Sequence, residues 1–239
     1  MIVVAFDTAS PSTVAGVLLD DGRVLEARDD PPAGSRGEHA ARLLVLVERA
    51  LAQGRVAWGE VGRVAVGVGP GGFTGLRIGI ATARALAQGH GLPLVPVGSL
   101  EALALGAVAE PADRSALAGA APAAAPPLIA AVLDARRGEV FAGVWQDGRE
   151  LIPPAALPPA GLAQRLARLD APVQAVGDGA IRFRAELERA GVDVPADGSA
   201  VHRISAAPLC RLGAVGEPAE RDRLLPDYLR EPDAKPPQR

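Results

Sequence analysis

Four glycines and a proline fall within six residues, Gly67-Val68-Gly69-Pro70-Gly71-Gly72, between an apolar strand pattern (Val64 to Val68) and a helical pattern opening at Thr74. Glycine takes positive φ without cost and lets other groups approach the backbone closely, so this loop is shaped to turn sharply against something. The free N–H groups at the start of the following helix make that something, on chemistry alone, an anion such as phosphate. Two phosphate loops can be compared directly. A Walker loop needs a lysine after its last glycine, then Ser or Thr for magnesium. Here Gly75 is followed by Leu76 and Arg77, and the chain's one lysine is Lys235, so that loop is excluded. The dinucleotide pattern G-x-G-x-x-G matches at 67–72, but its ribose-binding carboxylate should end the next strand. That strand, Leu92 to Val97, has none, and Glu101 lies beyond it in helical sequence. A nicotinamide cofactor is the less favoured reading.

Other groups able to do chemistry are sparse. Asp7 ends the first strand and is followed by Thr8, Ala9 and Ser10. A carboxylate there can hold magnesium beside a phosphate, or cap a turn through its own side chain. His39 opens a helix, and a helical metal pair would want a second histidine one turn on. The run His39-Ala40-Ala41-Arg42-Leu43 supplies leucine instead. His90 and His202 have no companions at ligand spacing, Cys210 sits in an apolar helix as a small core residue, and no Gly-x-Ser-x-Gly elbow occurs. Catalytic residues and a metal site are therefore expected to be absent.

Composition narrows the classes. The chain has 239 residues, a formal net charge of −3 and a single cysteine. It has length for two modest lobes, no global basic field for nucleic acid, and no means of forming an internal disulfide. The N-terminal Met-Ile-Val-Val-Ala-Phe-Asp enters a strand directly, and no apolar run reaches membrane-spanning length. These features lead to the expectation of a soluble, cytoplasmic protein.

The elements that must position these residues read in order. Strands at 2–6, 13–19 and 23–27, the last two joined at Asp21-Gly22, precede a helix over 38–53 closed by Gly54. The Gly-loop strand, a helix over 74–88, a strand and a helix near Ser99 complete a β-β-β-α-β-α-β-α order. Residues 107–127 are rich in Ala and Pro and read as a linker or insertion. Beyond them, strands at 128–133 and 140–145 flank Asp134-Ala135-Arg136-Arg137-Gly138-Glu139, followed by helices at 161–169, 181–190 and 206–213 and a strand at 173–176. The expected organisation is an N-terminal lobe from 1–106 plus 206–239, and a smaller second lobe at 107–205.

Two helices carry more apolar surface than one sheet face needs. The first has the run Leu43-Leu44-Val45-Leu46-Val47, and the second has Leu76, Ile80, Ala83 and Ala87 on one side with Ile78, Ala81 and Ala85 on another. Either both are buried within the chain, or each keeps a face for a partner subunit.

Several segments together resemble the TsaB (YeaZ) family: Val3-Val4-Ala5-Phe6-Asp7-Thr8-Ala9-Ser10, the helix begun by His39 with Leu43-Leu44, Gly69-Pro70-Gly71-Gly72-Phe73-Thr74-Gly75-Leu76-Arg77-Ile78-Gly79, Asp134 to Val140, and Tyr228-Leu229-Arg230. Gly72 stands where that family usually has serine. The resemblance implies an α/β fold of the actin/sugar-kinase/Hsp70-like (ASKHA, ribonuclease H-like) two-lobe type. It implies a non-catalytic role in making threonylcarbamoyladenosine beside the anticodon of tRNAs reading ANN codons. The catalytic paralogue TsaD would be bound and activated, the ATPase TsaE would join, and tRNA would be met through the complex. TsaD-like proteins carry a histidine pair where this chain has His39 and Leu43, so the resemblance implies the non-catalytic member. Partner contacts are expected at His39, Leu43, Leu46, Val47, Leu76, Arg77, Ile80 and Arg84. ATP or ADP is expected only at the complex interface, near Asp7, Gly69, Gly71, Gly72 and Arg77. The alternatives are a small ATP-dependent phosphotransferase using Asp7 and the Gly-rich loop, and a homodimer built on the same helix faces.

Overall fold

The computed structural model describes residues 1–32, 35, 37–108 and 127–230. β1 (Ile2–Asp7) is apolar almost throughout because it lies at the centre of a five-stranded sheet covered on both faces. It pairs antiparallel with β2 (Thr13–Leu18), which pairs antiparallel with β3 (Val24–Asp29). α1 (His39–Gly54) and a 3-10 turn (Trp58–Glu60) lead to β4 (Val61–Gly69), parallel to β1. α2 (Phe73–His90), β5 (Leu94–Gly98, parallel to β4) and α3 (Ser99–Ala107) follow. The sheet order is β3-β2-β1-β4-β5. Gly54 is the last helical residue of α1 rather than its cap; Arg55 takes the left-handed turn, at φ 53°.

The second sheet is β6 (Leu128–Arg136), β7 (Glu139–Gln146), β8 (Arg149–Leu157) and, after α4 (Pro159–Leu166), β9 (Val173–Val176), in the order β8-β7-β6-β9. β8 is absent from the sequence-based expectation. It lies at an edge, where Pro153 and Pro154 need not donate to a neighbour, and its half-exposed pattern looks like loop. The helix expected at 181–190 is two short ones, α5 (Asp178–Arg182) and α6 (Arg184–Arg189), broken at Phe183. α7 (Ala206–Val215) returns to the first sheet, and a 3-10 turn (Arg221–Arg223) starts the C-terminal segment. The Ala/Pro-rich stretch falls mostly on 109–126, and Lys235 on 231–239, both outside the described residues.

α1 and most of α2 cover one face of the first sheet, burying Leu43, Leu46, Val47 and Ile80 against Val4, Phe6 and Val64. The other face packs against α7 and α3, with Leu100, Leu103, Leu209 and Cys210 over Val3, Ala5 and Val95. The same cluster continues into Ile129, Leu133 and Trp145, so α3 is wedged between the sheets. Each fully buried Leu or Phe contributes roughly 1.5–3 kcal/mol. The Asp7 end of β1, the Gly-rich loop and the start of α3 therefore meet at the seam of the two lobes.

Candidate functional site

Asp7 is buried, 1% exposed, where β1 ends. The Ala9 N–H donates to its Oδ1 at 2.6 Å, and the Ser99 hydroxyl donates to its Oδ2 at 2.6 Å. The Gly69 N–H donates to the same Ser99 oxygen at 3.2 Å. Burial raises the Asp7 pKa, and the two hydrogen bonds pull it partly back. Opposite it, a Cβ on Gly67 would lie 1.8 Å from Oδ2. This carboxylate is tied inward to the start of α3. Both of its oxygens are engaged within the chain.

The glycine loop has a similar explanation. A Cβ on Gly71 would stand 2.5 Å from the Ala9 carbonyl, and the Gly72 N–H donates to that carbonyl at 2.7 Å. A Cβ on Gly75 would reach 2.0 Å from the Thr8 carbonyl, while the Thr8 hydroxyl donates to the Gly75 carbonyl at 2.8 Å. Gly69 takes φ 111°, which other residues adopt only under strain. What the loop turns against is the chain's own Asp7–Ala9 segment. Gly71 closes this packing, a Cβ on Gly69 would meet Leu76 and the Asp227 carbonyl, and Gly72, Phe73 and Thr74 are exposed.

His39 is buried, with its Nδ1 2.8 Å from the Thr13 hydroxyl. Burial lowers its pKa and Asp29 opposes that shift, so the ring is held neutral. One turn on, Leu43 carries no donor and is buried in the core. The pair does not fit a metal, and no metal-holding group of three His, Cys, Asp or Glu occurs among the described residues.

The helix faces need the largest correction. Of the eight residues expected to meet a partner, His39, Leu43, Leu46, Val47, Leu76 and Ile80 are buried inside this chain. Arg84 donates to the Asp222 and Leu224 carbonyls, and Arg77 donates to the Tyr228 hydroxyl, so both hold the chain's own C-terminal segment. Sequence alone showed excess apolar surface without saying which side faced in. The outward apolar residues are Leu44 (51% exposed) and Val45 (63%) on α1, while α2 presents Phe73, Ala81 and Ala85. Positions 43, 46, 47, 50 and 51 form one helical stripe and 41, 44, 45 and 48 the opposite one, a separation the 3.6-residue period would have given.

The fold is similar to that of the ROK hexokinase from Thermus thermophilus, whose structure matches at a TM-score of 0.50 and 18% identity, covering 90% of this chain and 99% of that one. Residues 31–207 match the family model described as TsaD, tRNA N6-adenosine threonylcarbamoyltransferase. Within that group the chain belongs to the TsaB (YeaZ) family. It is 32% identical to the tRNA threonylcarbamoyladenosine biosynthesis protein TsaB of Escherichia coli, over 75% of this chain and 72% of that protein. The structure of YeaZ from Pseudomonas aeruginosa matches at a TM-score of 0.69 and 28% identity, covering 95% of this chain and 99% of the other.

Proposed function

We propose that this chain is a non-catalytic subunit of the machinery that transfers a threonylcarbamoyl group to adenosine beside the anticodon of tRNAs reading ANN codons. It binds and activates TsaD through the outward faces of α1 and α2. The observation that carries this reading is the apolar strip Leu44–Val45, left uncovered on a helix whose other face is fully used by the core. An exposed apolar stripe on a long helix is suited to a partner helix, and the outward alanines of α2, which packs against α1, allow close approach. Leu43 in place of a second histidine, and Asp7 turned inward, support a helper role over a phosphotransferase.

In this reading TsaE joins the assembled pair and tRNA is met through the complex, in the cytoplasm. ATP or ADP is met only at the interface, where, of Asp7, Gly69, Gly71, Gly72 and Arg77, Gly72 and Arg77 are exposed. Without TsaD the same faces pair two copies of this chain. The test is co-purification with TsaD of a Leu44→Asp/Val45→Asp double variant. Retention should fall at least about tenfold, with thermal melting unchanged. Undiminished binding would sink the proposal. Reconstituted tRNA modification with and without this chain tests the wider role.

A further inference from the structure

Downstream of α7 the chain crosses the molecule again, with attachments that change from one lobe to the other. The Ala219 N–H donates to the Leu94 carbonyl at 2.8 Å, and Arg84 donates to the Asp222 and Leu224 carbonyls at 2.9 and 2.5 Å. Leu224 is buried in the α1–α2 core. The Asp227 N–H donates to the Val68 carbonyl at 2.8 Å, beside the Gly-rich loop. Arg77 Nε donates to the Tyr228 hydroxyl at 3.0 Å, the Tyr228 ring stacks on Phe73 with centroids 5.4 Å apart, and the Arg77 guanidinium lies 3.8 Å over Phe73. All of these attachments are to the first lobe.

Two residues later the partners belong to the second. Arg230 donates through Nη1 to the Ala135 carbonyl at 3.1 Å and through Nη2 to the Glu139 carboxylate. Between these lies the β6–β7 turn, where Arg136, Arg137 and Gly138 take φ of 62°, 55° and 79°. Two consecutive left-handed arginines persist only where their surroundings hold them. Arg230 supplies part of that hold and Asp134 another part: it accepts from the Arg136 N–H at 2.9 Å and from Arg182 at 2.6 Å.

We propose that Tyr228-Leu229-Arg230 is a clasp that locks the β6–β7 turn of the second lobe to the start of α2 in the first, so that the seam between the lobes opens only when the clasp releases. Leu229 packs on the core cluster that runs between the sheets, which seats the clasp over that seam. Phe73 and Arg77 open α2, so the clasp also links lobe position to the proposed docking helix. That last link rests on the docking reading; the clasp does not. A partner meeting the start of α2 would shift the clasp only by its difference in affinity for the closed and open forms.

The test is hydrogen exchange on the full chain. Arg230→Ala should speed exchange of the hairpin amides at 139–141 and also of the Gly69 and Gly72 amides, which Arg230 does not touch, each by at least about tenfold, with β1 unchanged. Tyr228→Phe, which removes only the acceptor for Arg77, should loosen the hairpin amides in turn. If each variant affects only the amides on its own side, the clasp does not couple the lobes and the proposal is overturned. Should Arg230→Ala lose cooperative melting, Arg230→Lys keeps the charge without the fork and is read in the same way. Co-purification of the clasp variants with TsaD is the final arm. If the unaltered chain fails to bind TsaD, the docking reading falls while the exchange result still decides the clasp.

Discussion

The Ser99 hydroxyl lies 2.6 Å from the Asp7 carboxylate and donates to it, while the same oxygen accepts from the Gly69 N–H. A serine on α3, an aspartate on β1 and a glycine on β4 are thereby fastened at one buried point. The arrangement makes the carboxylate an internal strut between β1, β4 and α3.

Asp7 sets a testable pH dependence. Its folded pKa is raised above the ordinary aspartate value of 3.8, chiefly by burial. Between that value and the raised one, the folded chain binds more protons than the unfolded chain. Stability therefore falls as pH rises through this window, and the penalty is fully present above it. Asp7→Asn keeps an acceptor for Ala9 and removes the charge. Thermal melts from pH 4 to 8 should show a shallower decline with rising pH than the parent, and a Tm at pH 7 no lower than the parent's. Part of the decline remains, because burial also raises Asp178 and Glu101.

Neighbouring leucines on α1 should respond in opposite ways. Leu46 is buried in the core, and Leu46→Asp places a charge there without a partner. A cost of about 3–5 kcal/mol is expected, enough to unfold much of the chain. Leu44→Asp, on the outward face, should change stability by less than about 0.5 kcal/mol. Urea titrations of the two single variants decide it; equal losses would refute the assignment of the faces.

How far the sequence could be read depends on burial. β1 and β4 are nearly continuous apolar runs and were legible, whereas β8 combines two prolines with an edge position and was not. The signal for β8 lay in its turn: Asp147 and Gly148, at φ 48° and 78°, are the two positive-φ positions of a tight hairpin. The position of the Gly-rich loop is legible but its neighbours are not, because glycine announces a close approach without naming what approaches. Here the visitors are the Thr8 and Ala9 carbonyls. The five-residue apolar run on α1 was visible too, and only packing showed that Leu43, Leu46 and Val47 face in while Leu44 and Val45 face out.

His39 gives a second pH effect of opposite sign. Its folded pKa is lowered below 6.5, so the folded chain binds fewer protons there than the unfolded one. The stability it confers is present above pH 6.5 and is lost as pH falls through that value towards the folded pKa. Between pH 7 and pH 5 this contribution runs against that of the buried carboxylates, and His39→Gln should remove it, so that the variant's denaturant midpoint gains on the parent's as pH falls. Thr13→Val, which leaves the buried Nδ1 without the partner now 2.8 Å away, should cost about 1–3 kcal/mol at pH 7.

Two glycines three residues apart should answer substitution with opposite signs. Gly72 is the N-cap of α2 at φ −63° and ψ 120°, an ordinary extended conformation, and its added Cβ would meet nothing nearer than the Ala9 carbonyl at 3.5 Å. Gly72→Ser should fit, offer a side-chain oxygen to the unpaired N–H groups of the first turn, and restrict the unfolded chain. A gain of about 0.5–1 kcal/mol follows. Gly75 has no such room, since its Cβ would be driven to 2.0 Å from the Thr8 backbone carbonyl, which β1 holds in place. Gly75→Ala must push α2 away from the end of β1 and should lose roughly 2–4 kcal/mol. Chemical denaturation of both variants measures the difference. A tolerated Gly75→Ala would mean that α2 does not sit against Thr8 as closely as this packing requires.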